Sequence, residues 1–299
     1  MENIYVVTGA TGNTGSKVAD KLLENGRKVI VIARHEDKLK ELSGKGAKAM
    51  AGDVLDAEFL KNAFKEANAL YAMIPPNYTG NDYLSHYKNV SDSIVKAVES
   101  SEIKNIVALS SIGAELPEGT GIVEGLHYLE EKLKSLRNIN ILILRPGYFM
   151  ENLFSQIDII KNMGVLGSPT KGDLPIEMVC TKDIAEVAAK HLDRLDFKGF
   201  EVKYILGQRV VTFNEVAKVL GKAIGKDDLK YVQFSYEDAI NGMVQSGLSK
   251  NTAEGFVGLS KFFNAGKSDK GYSRSAENTV HTSIEEFSKT FAEVYNSKR

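Results

Sequence analysis

The chain has 299 residues, enough to bury a large core, and its 38 basic and 39 acidic side chains nearly cancel. No overall field therefore attracts nucleic acid or an anionic membrane. The single cysteine, Cys180, excludes an internal disulfide and a multi-cysteine metal site, so no metal is predicted. The N-terminus lacks signal-peptide features, and no apolar run approaches the ~18 residues of a spanning helix. We expect a soluble, cytoplasmic protein acting on a small molecule, as a monomer or homodimer, without nucleic-acid or membrane partners.

Short β-branched runs alternate with helical stretches through the first half of the chain. The runs predict strands at IYVV, KVIVIA, KAMAGDV, ALYAMI, NIVALSS and INILILRP. Helices are predicted between them, including Tyr83 to Ser100 and Leu126 to Leu136. This alternation predicts parallel strands with crossover helices, and apolar runs such as ILIL mark strands covered on both faces. The fold class is therefore α/β, a Rossmann-type doubly wound parallel sheet with helices on both faces.

Beyond Gly147 the pattern changes to shorter, mixed pieces that predict a smaller α+β lobe. The strand IEMVC, the helix KDIAEVAAKHL and the strand EVKYIL come first, and several helices follow. Capping boxes predict three helix starts: Thr212 with Glu215, Ser235 with Asp238, and Thr282 with Glu285. We therefore expect a dinucleotide-binding domain at 1–150 and a substrate-binding lobe at 151–299, with core strands returning from the second half. A cleft between packed lobes is the natural ligand site.

Three glycines at three-residue spacing follow the first predicted strand. Gly9 permits a tight turn, Gly12 lets the backbone approach a pyrophosphate, and Gly15 allows close packing of helix on strand. The free N–H groups and the positive dipole end of the helix favour a phosphate. The predicted cofactor contacts in this loop are Gly9, Thr11, Gly12, Asn13, Thr14 and Gly15. The alternative is a strand-to-helix turn that binds nothing.

The residues after the second and third strands indicate which dinucleotide to expect. A NAD-specific protein usually carries an acidic residue after the second strand, for the adenosine ribose hydroxyls. Here Arg34, with Lys38 one turn later, suits a 2′-phosphate, so NADP(H) is preferred and NAD(H) is the alternative. Asp53 and Val54 close the third strand, where the carboxylate could accept a hydrogen bond from the adenine amino group. The competing interpretations are a solvated helix start for the two cations and helix capping by Asp53 or Asp56.

The segments VVTGATGNTG, AGDVLD, ALSSIGA, LRPGYFMEN, TKDIAEVAAKHL and TFNEVAKVLGKAIG, in this order, resemble the NmrA-like family of atypical short-chain dehydrogenases/reductases. The resemblance covers nearly the whole chain and is strongest with the quinone-reductase-like branch, in which a small C-terminal lobe closes over the nicotinamide. Family members are either reductases or dinucleotide-sensing regulators. The resemblance therefore implies the fold and the cofactor class more firmly than the reaction.

The resemblance also implies roles for individual positions. It supports cofactor contacts by the glycine loop, Arg34 and Asp53. It adds the segment after the fourth strand, which passes the cofactor: Ile74, Pro75 and Pro76. It places three further residues beside the substrate: Tyr148, Phe149 and Asn152. For the aromatic residues of this last group, packing between the lobes is the alternative.

Short-chain reductases usually protonate the substrate with a tyrosine whose pKa a lysine one turn away lowers, while a serine orients the oxygen. Tyr128 and Lys132 have that spacing and fall on the same flank of an apolar helical stripe. Ser110 and Ser111 end the fifth strand, at the carboxyl edge where doubly wound sheets bind ligands. We predict these four as catalytic, and Lys132 also as a contact to the nicotinamide ribose. The alternative is a plain surface helix.

The same helical wheel places His127 and Glu131 opposite the stripe, as a solvated pair outside the active site. A quinone takes hydride directly and needs no dedicated acid, because the cofactor carries the difficult step. The leading hypothesis is an enzyme, an NADP(H)-dependent reductase that transfers hydride from NADPH to a small quinone or carbonyl. The alternative is a non-catalytic NAD(P)-sensing regulator, or redox sensor, that changes a protein partner. A nucleotide-sugar epimerase or dehydratase shares the fold, but no sequence feature favours it.

Overall fold

The computed structural model describes residues 3–266 and 271–297. Its strands and helices are, in chain order, β1 (Ile4–Val7), α1 (Gly15–Glu24), β2 (Lys28–Ala33), α2 (Lys40–Gly44), β3 (Lys48–Ala51), α3 (Ala57–Phe64), β4 (Ala69–Ala72), α4 (Tyr83–Glu99), β5 (Asn105–Leu109), α5 (Glu124–Lys134), β6 (Asn140–Pro146), β7 (Tyr148–Phe149), α6 (Gln156–Met163), β8 (Val165–Ser168), β9 (Ile176–Val179), α7 (Thr181–Arg194), β10 (Phe200–Ile205), β11 (Val210–Val211), α8 (Phe213–Ala223), β12 (Lys230–Gln233), α9 (Tyr236–Gln245), α10 (Lys250–Asn264) and α11 (Ile284–Ser297). Short 3₁₀ turns lie at Glu36–Leu39, Gly121–Val123 and Met150–Ser155.

Seven parallel strands form the central sheet, in the order β3-β2-β1-β4-β5-β6-β10. The direction of winding reverses between β1 and β4. At such a switch point the loops leave the two strands in opposite directions and open a crevice at the carboxyl edge. The Rossmann-type α/β fold is confirmed, and the first half of the chain supplies the six predicted strands of this sheet. The crevice lies at the end of the strand that precedes the glycine loop.

Both faces of the sheet are covered because its strands are apolar on both sides. In β1, Tyr5 and Val7 pack in a core cluster with residues of α1 and α7, whereas Val6 packs on the opposite face with residues of α3, α4 and α5. All three side chains are almost fully buried. Parallel strands that carry helices on both faces have this continuous apolar character.

The second half of the chain builds a third core cluster but also returns to the first. Small sheets made by β7, β9 and β11, and by β8 and β12, pack with α6, α8 and α11. In contrast, α7 covers the central sheet and β10 extends it, pairing with β6 from Phe200 opposite Ile141 to Ile205 opposite Pro146. A division at residue 150 therefore cuts through the central sheet, and the two-domain description stays a prediction.

Among the described residues, no helix is both long and apolar enough to cross a membrane. Two of the three predicted capping boxes form as expected. Thr212 accepts a hydrogen bond from the Glu215 N–H (3.2 Å), and Ser235 accepts one from the Asp238 N–H (3.0 Å), as predicted. These contacts satisfy donors that the first turn of a helix leaves free.

The capping box predicted at Thr282 is wrong by one residue. Ser283 accepts the hydrogen bond from the Glu286 N–H (3.0 Å), while the Thr282 hydroxyl donates to Asp183 (2.8 Å). Asp183 is buried at the start of α7, and its carboxylate requires partners there. The tertiary contact with Asp183 therefore replaces the capping role that the local sequence pattern predicted for Thr282.

Gly15 is required by packing, and this gives a test of the loop geometry. A Cβ atom at Gly15 would overlap the carbonyl oxygen of Gly9, whereas one at Gly44 would meet open space. We expect Gly15→Ala to destabilise the protein by about 2–3 kcal/mol through overpacking. Gly44→Ala, at the end of α2, should cost nothing, because alanine favours helix. Thermal unfolding of both variants measures this, and equal melting temperatures would contradict the close α1–β1 contact.

Candidate active site

The glycine loop forms a tight turn between β1 and α1. Gly9 has a φ of +62°, a conformation that side-chain-bearing residues rarely adopt, and a Cβ there would overlap Met73. The Gly12 N–H donates to the Gly9 carbonyl (2.9 Å), and the Ala10 N–H donates to the carbonyl of Ile32 in β2 (3.2 Å). The turn is therefore fixed by the protein's own contacts.

Gly12 differs from Gly9 and Gly15, the other two glycines of the motif. A Cβ at Gly12 would lie 3.3 Å from the Gly9 carbonyl oxygen and 3.4 Å from the Met73 methyl carbon. Small adjustments would relieve such contacts, so internal packing alone gives little reason for glycine at this position. The bare backbone leaves a shallow cradle at the start of α1, which fits a group that approaches from outside, such as a pyrophosphate.

The start of α1 supplies free donors to this cradle. Within the described parts of the chain, the backbone N–H groups of Thr11, Asn13, Thr14 and Gly15 have no hydrogen-bond partner. The first turn also carries no acidic side chain that could occupy the helix N-terminus. Unpaired N–H groups at a positive helix end bind anions. The residues present therefore fit a dinucleotide phosphate.

The structure divides the six predicted loop contacts into two groups. Thr11 and Asn13 are exposed and Gly12 is half-buried, so these three can reach a ligand. Gly9, Thr14 and Gly15 are buried, and Thr14 is only 2% exposed. Gly9 shapes the turn, whereas Thr14 and Gly15 offer a ligand their unpaired backbone N–H groups. The buried Thr14 hydroxyl has no hydrogen-bond partner among the described residues. Contact of all six residues with the cofactor stays a prediction.

Two cations follow β2, where the adenosine end of the cofactor is predicted. Arg34 follows the strand directly, and Lys38 lies in the 3₁₀ turn Glu36–Leu39. Both side chains are exposed, and neither has an ion pair or hydrogen bond with any residue that the structure describes. Their charges are therefore free to meet an anionic group such as a 2′-phosphate.

The turn after β3 is built differently from the prediction. β3 ends at Ala51, so Asp53 and Val54 follow the strand instead of closing it. Val54 is buried, and one Asp53 carboxylate oxygen accepts from the Leu55 N–H (2.9 Å). Asp56 caps α3, as the competing interpretation required. Asp53 is exposed and keeps one oxygen for an adenine contact, which stays a prediction.

The ends of β1 and β4 are locked together at the switch point. The Thr8 hydroxyl donates to the Met73 carbonyl (2.9 Å) and accepts from the Met73 N–H (2.8 Å). Ile74 is buried directly afterwards, while Pro75 and Pro76 are half-buried. The predicted segment therefore follows the lock at the mouth of the crevice. The sequence predicted no role for Thr8 or Met73, because their contact joins residues 65 positions apart.

Ser110 is engaged in a buried polar network. Its hydroxyl donates to Glu130 (2.5 Å), and the guanidinium of Arg145 holds the same carboxylate through Nε (3.0 Å) and Nη2 (2.5 Å). Arg145 also donates to the Tyr204 hydroxyl (3.0 Å). The network therefore connects β5, α5, β6 and β10. Ser111 donates to the Ile112 carbonyl (2.9 Å). Both predicted serine hydroxyls thus have internal partners.

Tyr128 and Lys132 lie together, but on the solvent side of the α4–α5 pair. The Tyr128 hydroxyl donates to Asp92 (3.0 Å), and the Lys132 amine pairs with the same carboxylate (2.9 Å). The hydrogen bond with Asp92, followed by that with Tyr128, raises the pKa of Lys132. Because both side chains contact Asp92 of α4, this structural contact explains why a tyrosine and a lysine lie four residues apart on α5. A catalytic or ribose-binding role stays a prediction that the geometry does not support.

The prediction for His127 and Glu131 as a solvated pair is wrong. His127 is half-buried, and its Nδ1 lies 2.8 Å from the carbonyl oxygen of Ala114, in the loop after β5. Because a carbonyl only accepts, this nitrogen carries the proton. Glu131 is exposed beside Lys134, 3.7 Å away. The loop after β5 folds over the start of α5, which helical periodicity alone does not reveal.

Tyr148 and Phe149 form β7, and both are half-buried. The Tyr148 ring meets Phe213 edge to face at 5.7 Å, and burial raises the pKa of its hydroxyl. Phe149 packs against the first core cluster, while Asn152 is exposed. Packing between the two halves therefore accounts for the two aromatic side chains. A substrate contact by any of the three residues stays a prediction.

A second polar link, absent from the predictions, joins the glycine loop to α7. Lys17 donates to the carbonyl of Asn13 (2.7 Å) and to the Thr181 hydroxyl (3.3 Å), and Thr181 in turn bonds to Glu151 through its N–H (3.0 Å) and its hydroxyl. Cys180 donates to Glu151 (3.3 Å), and burial raises the pKa of its thiol to about 12. The glycine loop is thereby fastened to the second half of the chain.

A seven-stranded parallel sheet with a glycine loop at its switch point is the architecture of the doubly wound dinucleotide-binding proteins. The chain matches the NmrA-like family over residues 1–294 and belongs to that family. The resemblance inferred from the motifs is therefore confirmed.

Individual relatives are distant. The chain is 23% identical over 251 residues to an NAD(P)H azoreductase of Xenophilus azovorans, with 84% of each chain covered. It superposes on an NADPH-dependent quinone oxidoreductase from Escherichia coli complexed with NADPH, with a TM-score of 0.79, 21% identity and coverage of 96% and 99%. A triphenylmethane reductase of Citrobacter sp. complexed with NADP(H) gives a TM-score of 0.79, 21% identity and coverage of 97% and 99%. At this identity the structural matches establish the fold.

The buried Glu130 carboxylate and its neighbour on α5 offer a matched test of the polar network. Glu130→Ala should destabilise the protein by about 3 kcal/mol, because it removes the buried partner of Arg145 and leaves this charge with the more distant Glu115 carboxylate, 3.6 Å away. Glu131→Ala, at the next position but exposed, should change stability by less than about 0.5 kcal/mol. Urea unfolding of both variants measures the difference. Similar midpoints would show that the network does not hold the carboxyl edge.

Proposed function

We propose that the protein is an NADP(H)-dependent reductase that transfers hydride from NADPH to a small quinone or carbonyl compound. The observation that carries the proposal is the bare cradle at Gly12, beside unpaired N–H groups at the switch point of the sheet. The names of the relatives support it, since they include an NAD(P)H azoreductase and an NADPH-dependent quinone oxidoreductase.

The residues that would hold the cofactor follow from their exposure. Thr11, Gly12 and Asn13 would receive the pyrophosphate, and Arg34 with Lys38 would pair with the 2′-phosphate. The nicotinamide would lie beyond the Thr8–Met73 lock, along the segment that begins at Ile74. When bound, the cofactor supplies the hydride, and the protein supplies binding and orientation.

The engaged hydroxyls favour a quinone over a simple carbonyl. Tyr128, the predicted proton donor, donates to Asp92, and the predicted orienting serines, Ser110 and Ser111, donate to Glu130 and to the Ile112 carbonyl. All three hydroxyls therefore have internal acceptors. A quinone accepts hydride at an electron-poor ring, and the resulting hydroquinone anion can take its proton from water. Reduction of a quinone therefore needs only cofactor and substrate to be held together.

The first experiment titrates the purified protein with NADPH and with NADH, following nicotinamide fluorescence, and then adds menadione to the saturated complex. We expect NADPH-selective binding and quinone-dependent oxidation of NADPH. Binding without turnover, together with a protein interaction that changes on adding NADP, would favour the NAD(P)-sensing regulator over the reductase. No binding of either dinucleotide would overturn the proposal.

Gly12→Val tests the cradle directly. The valine side chain would occupy the space that the pyrophosphate requires, so NADPH affinity should fall at least tenfold, which corresponds to about 1.4 kcal/mol. A modest fall in melting temperature is expected, because a Cβ would lie 3.3 Å from the Gly9 carbonyl oxygen and 3.4 Å from the Met73 methyl carbon, and these neighbours must shift slightly. Fluorescence titration and thermal unfolding on the same sample separate the two effects. Unchanged affinity would place the cofactor elsewhere.

Arg34→Glu tests the choice of dinucleotide. The substitution removes a partner of the 2′-phosphate and adds repulsion, so the NADPH-over-NADH preference should fall about 10- to 100-fold. Arg137→Glu is the control, since Arg137 is also exposed but lies beyond the end of α5. The ratio of the two dissociation constants is the readout. A preference that survives Arg34→Glu would assign the 2′-phosphate to another cation.

A further inference from the structure

Four aromatic side chains meet where the loop after β4 and the start of α4 contact α10. They are Tyr78, Tyr83, Tyr87 and Phe256, which we call the tyrosine cluster. The rings of Tyr78 and Phe256 are 5.7 Å apart. Tyr83 packs so closely on α10 that a Cβ at Gly255 would lie 2.8 Å from its ring. None of the four is fully buried, and Tyr78 is 45% exposed.

Backbone hydrogen bonds hold this part of the loop against α10. The Ser249 N–H donates to the Tyr78 carbonyl (2.9 Å), and the Tyr83 N–H donates to the Asn251 side chain (2.9 Å). On the other side, Tyr87 packs against Gly125 of α5, where a Cβ would lie 2.5 Å from the tyrosine ring. Contacts with α10 from the second half of the chain and with α5 from the first half therefore fix the positions of the rings.

The hydroxyls of the cluster have no structural task. Within the described residues, those of Tyr78, Tyr83 and Tyr87 have no hydrogen-bond partner, whereas those of Tyr204 and Tyr231 do. Burial raises the pKa of all three cluster tyrosines, and for Tyr87 the neighbouring Tyr78 and Tyr83 raise it further. Because they have no internal partner, the three hydroxyls can each donate a hydrogen bond to a ligand.

The cluster adjoins the segment assigned to the nicotinamide. Tyr78 follows Pro76 by two residues, and Tyr87 is next to His86, whose Nε2 lies 2.8 Å from the Pro75 carbonyl oxygen. The loop after β4 therefore carries the predicted cofactor-side segment at its start and Tyr78 further along. The other three rings lie on the helices that flank this loop, Tyr83 and Tyr87 on α4 and Phe256 on α10.

We propose that the tyrosine cluster is the substrate-binding wall of the reductase and that it selects planar aromatic acceptors with carbonyl groups, such as naphthoquinones. The substrate ring packs against Tyr78 and Phe256, and the hydroxyls of Tyr83 and Tyr87 donate to its carbonyl oxygens. This inference rests on the proposed function, whose hydride donor it uses. The cluster itself contributes binding and orientation and takes no part in electron transfer.

Two variants test ring and hydroxyl separately. Tyr78→Leu keeps an apolar side chain but removes the aromatic face, and Tyr87→Phe keeps the ring but removes a donor. Each should raise the KM for menadione about three- to tenfold, the range expected for one aromatic or hydrogen-bond contact. The Kd for NADPH and the melting temperature should not change. Tyr236→Leu on α9 is the control, because this tyrosine is 37% exposed but lies outside the cluster.

The outcomes separate the two proposals. If NADPH binding and menadione turnover are normal in the wild type but neither cluster variant raises KM, the wall is refuted and the reductase stands. If Tyr236→Leu raises KM as much as Tyr78→Leu, the effect is unspecific and the wall is likewise refuted. If the wild type binds NADPH and reduces no quinone, the proposed function fails before any variant is made. If Tyr78→Leu does not fold, Tyr87→Phe decides alone.

Discussion

The approach of α1 to β1 at the glycine loop is the constraint from which the site follows. Gly15 has no room for a side chain beside the Gly9 carbonyl, so the helix begins almost in contact with the strand. This places the unpaired N–H groups of the first turn at the switch point, where the Thr8–Met73 lock joins β1 to β4. Backbone geometry, more than any side chain, thus creates the proposed anion site.

On the other side of the crevice, an ion pair stabilises the carboxyl edge of the sheet. Glu130 is 3% exposed and is matched by Arg145, so neither charge is left uncompensated in the interior. The network ties β5, β6 and β10 to α5, and it takes the Ser110 hydroxyl as one of its donors. The Ser110 hydroxyl therefore has a structural role in this network, which is consistent with the proposed quinone acceptor.

The two halves of the chain are interdependent. β10 completes the central sheet, α7 covers one of its faces, and Lys17 connects the glycine loop to Thr181. From the other direction, α10 holds the loop after β4 and the start of α4, which carry three rings of the tyrosine cluster. Because both ends of the crevice are built by contacts between the halves, the cofactor site and the proposed substrate wall depend on one folded unit.

Sequence by itself determined the features that depend on neighbours along the chain. Alternating apolar runs and helical periods predicted the parallel sheet, the spacing of the three glycines predicted the loop, and position alone singled out Arg34 after β2. The fold and the loop's place at the end of the first strand follow from such local patterns. Even there, burial decided that Gly12 faces outward while Thr14 does not.

Only the tertiary structure determined which residues contact the side chains on each face of α5. The helical wheel gives the direction of a side chain but not its partner, and the partners come from distant segments. Asp92 on α4 accounts for Tyr128 and Lys132, Ala114 accepts from His127, and Arg145 pairs with Glu130 but not with the adjacent glutamate. The tyrosine cluster likewise depends on α10, more than 160 residues after Tyr83 in the sequence. Contacts of this range carry no periodic signal, because they arise only when separate elements pack together.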